Sequence, residues 1–185
     1  MNSTYINHTR AWLEKVVIGL NLCPFARKPY LGDQVRFVVS EARDTAQLLT
    51  DLENEIQRLI DTNIQELETT VLIHPLVLTD FLDYNDFLDE ADQLLQNKAL
   101  EGAFQIASLH PDYQFADTQY DDAENFTNRS PYPVLHILRE ESVTLAIGDH
   151  PSPDKIPQRN IRLMDKYGNE KMRTILHQCQ QAADD

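Results

Sequence analysis

Apolar residues along the chain repeat with two different periods, and the switches between those periods lay out the expected elements. Over residues 4–20, Tyr5, Trp12, Leu13, Val16, Val17 and Leu20 recur at steps of three and four, the spacing of one helical face. Gly19, Asn21 and Pro24 stop that helix, and Asn21 to Ala26 follows as a compact apolar turn. Residues 34–40 alternate as a strand, with Val35, Phe37 and Val39 on one side and Arg36 and Val38 on the other. Helical spacing returns over 45–60 through Leu49, Leu52, Ile56, Leu59 and Ile60. The β-branched run 69–73 is a second strand and ends at His74-Pro75. Residues 80–96 give the clearest helix, with Phe81, Tyr84, Leu88, Ala91 and Leu95 on one face, most of its aspartates off that face, and Thr79 as a possible cap. Strands are expected at 103–109, ending at His110-Pro111, and at 134–139. A short helix at 142–147, a proline-punctuated segment and helices at 156–166 and 169–180 complete the chain, with Met172, Ile175, Leu176 and Cys179 facing inward and a fraying tail at 182–185.

Strand, helix, strand, helix, strand implies right-handed crossovers, hence an α/β fold. The expected sheet has three to four strands, is mostly parallel and is covered by helices, with the fourth strand antiparallel at an edge. An α+β ferredoxin-like sandwich is the competing topology. Residues 1–185 are expected to form a single globular domain with a helical C-terminal extension from about 151.

The pattern lapses between His110 and Pro131. That stretch holds five acids, one arginine and four aromatics, with neither period. A connection this long in a compact domain is functional or disordered, and four aromatics oppose disorder, so an ordered site-forming loop is expected. Overall composition, 42% hydrophobic and 25% charged, is that of an ordinary globular protein. The net charge of −14 opposes a nucleic-acid partner or an anionic membrane. No apolar run approaches the roughly 18 residues of a membrane span. No signal-peptide pattern opens the sequence and Cys23 and Cys179 are far apart, so reduced thiols and a cytoplasmic location are expected.

If the strands ending in His74-Pro75 and His110-Pro111 are parallel, both histidines reach the carboxyl edge of one sheet, where open α/β sheets place ligands. His110 and His74 are therefore candidate acid–base residues, with Glu124 from the loop as a candidate acid. The plainer alternative is that each histidine caps its strand. Cys23 would complete a Cys/His/His metal set with His74 and His110, and a divalent metal is the one cofactor this suggests. No CxxC, HxH or HExxH spacing accompanies it, and a thiol beside Leu22 and Phe25 also suits a small buried hydrophobe. Arg129, with Asn125 and Asn128, is a candidate clamp for a carboxylate or phosphate, or else an internal partner of Glu124. Arg159 and Asn160, after Pro157, lie where a helix N-terminus could hold an anion, or where they would tie the terminal helices down. Ser130 reads as a turn residue and Cys179 as core. Glycine-rich nucleotide motifs are absent.

Several long segments, among them Gly19-Leu20-Asn21-Leu22-Cys23-Pro24-Phe25-Ala26, the run from Ala107 to Phe115, Thr127-Asn128-Arg129-Ser130-Pro131-Tyr132-Pro133 and Ile156-Pro157-Gln158-Arg159-Asn160-Ile161, resemble the DUF1415 family of uncharacterised bacterial proteins. The resemblance spans nearly the whole chain. It implies a single bacterial domain and supplies no catalytic residue. Two functional expectations follow from the residues. One is an enzyme acting on a small anionic or polar metabolite at the sheet edge. The other is a non-catalytic domain using the acidic helix 80–96 and the 110–131 loop to meet a partner.

Overall fold

Hydrogen bonding joins four short strands into one sheet in the order β1-β2-β4-β3 in a computed structural model that describes residues 2–182. The strands are β1 (Val35–Val39), β2 (Thr69–Ile73), β3 (Phe104–Leu109) and β4 (Val134–Arg139). β1 and β2 pair parallel, while β4 pairs antiparallel with β2 on one side and β3 on the other. The sheet is thus mixed rather than mostly parallel, and β4 is interior rather than at an edge. The cause lies in the connections. Helix α4 (Phe81–Asn97) carries the chain from β2 past one empty strand position to β3. The loop that follows returns to the end where β3 finished, since Leu109 pairs with Val134, so β4 can only run backwards into the gap. Its Val134, Leu135 and Ile137 are fully buried, as an interior strand requires.

Helices cover both faces, which rules out the two-layer ferredoxin-like arrangement. On one face, α3 (Thr45–Asp61) and α4 bury Leu48, Leu52, Ile56, Tyr84, Phe87 and Ala91 against Leu72, Leu135 and Ile137. Each fully buried leucine or isoleucine contributes roughly 1.5–3 kcal/mol of transfer free energy. Asp44 caps α3 through Gln47 N–H. Asp80, not Thr79, caps α4, accepting from the N–H groups of Leu82 and Asp83. On the other face, Trp12, Val16, Met164, Met172 and Cys179 close over Phe37, Val71, Ile73 and Val134. They come from α1 (Asn2–Trp12) with the turn after it, from α6 (Ile156–Tyr167) and from α7 (Asn169–Cys179), so the C-terminal helices form part of a layer of the fold. Of the expected fraying tail, residues 183–185 lie outside the described residues.

The first helix departs from its even pattern. After Trp12 the chain widens into a π-helical turn, Leu13–Ile18, and ends at Gly19, where an added Cβ would come within 2.5 Å of the Lys15 carbonyl oxygen. A short helix, α2 (Arg27–Leu31), follows the apolar turn. α5 (Glu140–Asp149) leaves β4 directly and buries none of its residues fully.

Candidate functional site

Because β1, β2 and β3 share a direction, His74 and His110 do emerge at one edge of the sheet. Ile73 and Leu109 face the α1/α6/α7 side, so strand alternation turns the next residues under α4. There the two rings flank Tyr84, His74 stacked with ring centroids 5.7 Å apart and His110 at 5.0 Å. Both histidines are 0% exposed. Asp112 N–H donates to His110 Nδ1 at 3.0 Å, leaving the proton on Nε2, which donates to the Leu78 carbonyl at 3.2 Å. His74 Nδ1 donates to the Val77 carbonyl at 3.1 Å, and its Nε2 has no partner. Burial drives the His74 pKa down to about 4, with His110 beside it pushing the same way against the bond to Val77, and burial lowers His110 too. Both rings are neutral at pH 7. The Tyr84 hydroxyl donates to the Val134 carbonyl at 2.8 Å and accepts from Leu109 N–H at 3.0 Å, so it is spent on the strand ends.

The loop turns its chemistry inward in the same way. Arg129 is 2% exposed and lies between the Tyr120 and Phe126 rings, 4.5 and 4.7 Å from their centroids. Its guanidinium donates to the carbonyls of Tyr113 at 3.1 Å and Tyr120 at 2.7 Å. It neither clamps an open site nor pairs with Glu124. Asn125 accepts from Phe115 N–H and the Thr118 hydroxyl and donates to the Gln119 carbonyl. Asn128 donates to the Ser108 carbonyl on β3, and the Ser130 hydroxyl donates to Tyr132 O. Asp112 accepts from the Tyr120 hydroxyl and Asp121 pairs with Arg173 at 2.6 Å. The Glu124 carboxylate has no partner among the described residues. At the start of α6, Arg159 donates to the Asn21 carbonyl and Asn160 donates to Leu22 O at 2.8 Å, so this pair ties α6 to the turn after the π-helical segment.

The open space lies elsewhere. A cavity of about 570 Å³ sits on the α1/α6 face of the sheet. Its floor is Thr69, Val71, Ala107, His136 and Leu138, adjacent residues on β2, β4 and β3. Leu13 and Val17 of the π-helical turn, Cys23 and Phe25, Val143 and Ala146 of α5, and Ile156 and Asn160 of α6 form its walls. Glu124 and Asn128 close it at the loop side. Small floor residues and a helix with nothing fully buried leave this space unfilled.

His136 is the titratable side chain in the floor. Thr69 Oγ1 donates to the Ile137 carbonyl at 2.6 Å and therefore accepts from His136 Nε2–H at 2.8 Å. That chain fixes the tautomer and leaves Nδ1 as an acceptor, in a ring that is half-buried although the strand is interior. Burial lowers the His136 pKa to about 4, so the ring is neutral. Cys23 is partly exposed in the wall, and burial raises its thiol pKa, keeping it protonated.

The structure therefore divides the expected site residues. His74 and His110 meet, but under α4, while Cys23, Glu124, Asn128 and Asn160 line the cavity on the opposite face. The Cys23–His74–His110 metal set is not assembled, because strand alternation turns the imidazoles under α4 while the turn after the π-helical segment leaves the thiol in the cavity wall on the opposite face. Among the described residues no three His, Cys, Asp or Glu side chains are grouped to hold a metal ion. Sequence reasoning missed His136 and Thr69. A histidine inside the apolar run of residues 134–139 was the available signal. Against known proteins, the model of a family described as a protein of unknown function, DUF1415, matches residues 4–174. No curated protein and no solved structure matches the chain.

Proposed function

We propose that this chain, which belongs to the DUF1415 family, binds a small, predominantly apolar molecule in the cavity between the sheet and the layer of α1, α5 and α6. The observation that carries the reading is His136, a neutral ring held by Thr69 in the lining of a mostly apolar space. A volume of about 570 Å³ falls in the usual range for small-molecule sites, roughly 300–1,000 Å³, and a few placed polar groups in an apolar wall are their common chemistry. Binding is favoured over acid–base catalysis at the carboxyl edge because His110 and Arg129 spend their protons on backbone carbonyls and do not line the cavity. The net charge of −14 supports a ligand other than nucleic acid. No helix among the described residues is long and apolar enough to cross a membrane. Two free cysteines and the family resemblance favour a cytoplasmic bacterial protein.

The test uses N-phenyl-1-naphthylamine, an uncharged dye that fluoresces in apolar surroundings. Saturable one-to-one binding to the wild type, lost in Ala107→Trp with the thermal transition retained, is the expected result. A wild type that gives no saturable signal overturns the reading.

A further inference from the structure

We infer that the ligand of this cavity is an organic cation, an alkyl or aryl amine whose ammonium meets Glu124 while its apolar body lies over Ala107 and Leu138. The inference rests on the reading of the cavity as a ligand site and goes on to name the chemistry that fills it. Three charged residues line the space: Glu68, Glu124 and Arg139. Arg139 is already committed on the other face of the sheet. Its guanidinium lies over the Phe104 ring and donates through Nη2 to the carbonyls of Leu59, Thr62 and Leu67, while its Nε is unpartnered. Of the cations beside lining residues, Arg129 donates to Tyr113 O and Tyr120 O, and Arg159 donates to Asn21 O and the Asn160 side chain. The other two charged lining residues, Glu68 and Glu124, are both acids, and Glu124 stands with the neutral His136 and the unpartnered Ser142 hydroxyl in the lining.

An anion entering this space would lose its hydration and meet, among the lining residues, no cation but Arg139, whose guanidinium is drawn to Phe104 and the carbonyls of Leu59, Thr62 and Leu67; uncompensated burial of a charge costs several kcal/mol in general. A protonated amine finds a carboxylate in an apolar wall, where a charge-assisted hydrogen bond is at its strongest. The net charge of −14 also concentrates cations at the surface. An amine ligand departs from the sequence expectation of a small anionic or polar metabolite, which rested on Arg129 and Arg159.

Trp12 is the single tryptophan and lines the cavity, so its fluorescence reports occupancy. The full-length protein is titrated at pH 7.5 and physiological salt with octylamine, 1-octanol and octanoate, which share one chain and differ in the head group. Octylamine is expected to bind about tenfold tighter than octanol, the scale of one hydrogen bond to a charged group, and octanoate weakest. Glu124→Gln should bring octylamine to the affinity of octanol and leave octanol unchanged. Glu124→Lys should reverse the order of amine and carboxylate, which a loss of folding cannot mimic. Octanoate binding as tightly as octylamine, or an octylamine affinity indifferent to Glu124→Gln, overturns the amine inference. If the uncharged dye still binds in that case, the cavity reading stands without it. If the dye and all three octyl compounds fail, both readings fall.

Discussion

Under α4, His74 and His110 are enclosed against Tyr84 and give their ring protons to the carbonyls of Val77 and Leu78. On the opposite face His136 gives its proton to Thr69 and lines a cavity. All three rings have pKa values lowered by burial. What separates them is the covering helix. α4 brings Tyr84, Phe87 and the ring of Phe81 down onto the sheet, whereas α5 brings Val143 and Ala146 and buries no residue fully. Identical side chains thus become packing on one face and part of a cavity lining on the other, and the neighbour's volume decides which.

Acid is the strongest way to press on this comparison, because it acts on both faces together. Folding holds these rings neutral, while in the unfolded chain they take up protons near the ordinary pKa of about 6.5. The unfolded state then binds more protons, so stability is fully present above about pH 6.5. It falls as the pH drops towards about 4, where His74 and His136 protonate in the folded state as well. The slope is about 1.4 kcal/mol per pH unit for each ring. Urea denaturation across that range should show the decline, and His74→Leu should remove one proton from its slope. An unchanged slope in that variant would place the proton uptake elsewhere.

On the filled side, Arg129→Ala strands the carbonyls of Tyr113 and Tyr120 and removes the cation between two rings. A loss of about 3 kcal/mol is expected in chemical denaturation, given 1.5–3 kcal/mol for a hydrogen bond to a charged group. A shift below 1 kcal/mol would mean that the guanidinium is replaceable there. On the open side, His136→Leu should cost little stability, since Thr69 keeps its bond to Ile137 O. It should weaken 1-octanol binding about tenfold by removing the acceptor for its hydroxyl. Octanol binding unaltered by that change would remove His136 from recognition. The smallest effect concerns Cys23. With its thiol held protonated by burial, it should react with a disulfide reagent roughly tenfold more slowly than a free cysteine. Saturating dye should slow it further, as peptide mapping of the labelled protein would show.

Periodicity located the elements well. The strands at 69–73 and 134–139 have the expected bounds, the helix at 45–60 runs one residue further, and that at 80–96 is shifted by one residue at both ends. The shared edge of His74 and His110 also followed from sequence, because it needed only strand direction. The interior place of β4 did not, since it depends on how far α4 carries the chain sideways. The loop misled for a physical reason. A long irregular segment has no ladder to satisfy its backbone, so it supplies its own donors and acceptors, and Arg129, Asn125 and Asn128 serve that need. Their residue types are those of a binding site, and sequence does not show which way they turn. The cavity left no pattern at all. Ala107, Thr69, Val71 and Leu138 are unremarked strand residues, and a void is a property of what stands above them.

The interior strand that comes last also sets an order of events during synthesis. Until the ribosome has released residues 134–139, β2 and β3 have no strand between them, and each presents an open edge of unpaired peptide groups. The nascent chain must hold α3, β2, α4 and β3 together across that slot while the whole 110–131 segment is made. The arginine and asparagines that knot this segment therefore govern how promptly the slot is closed, and a variant that loosens them should aggregate during production before it shows any defect once folded.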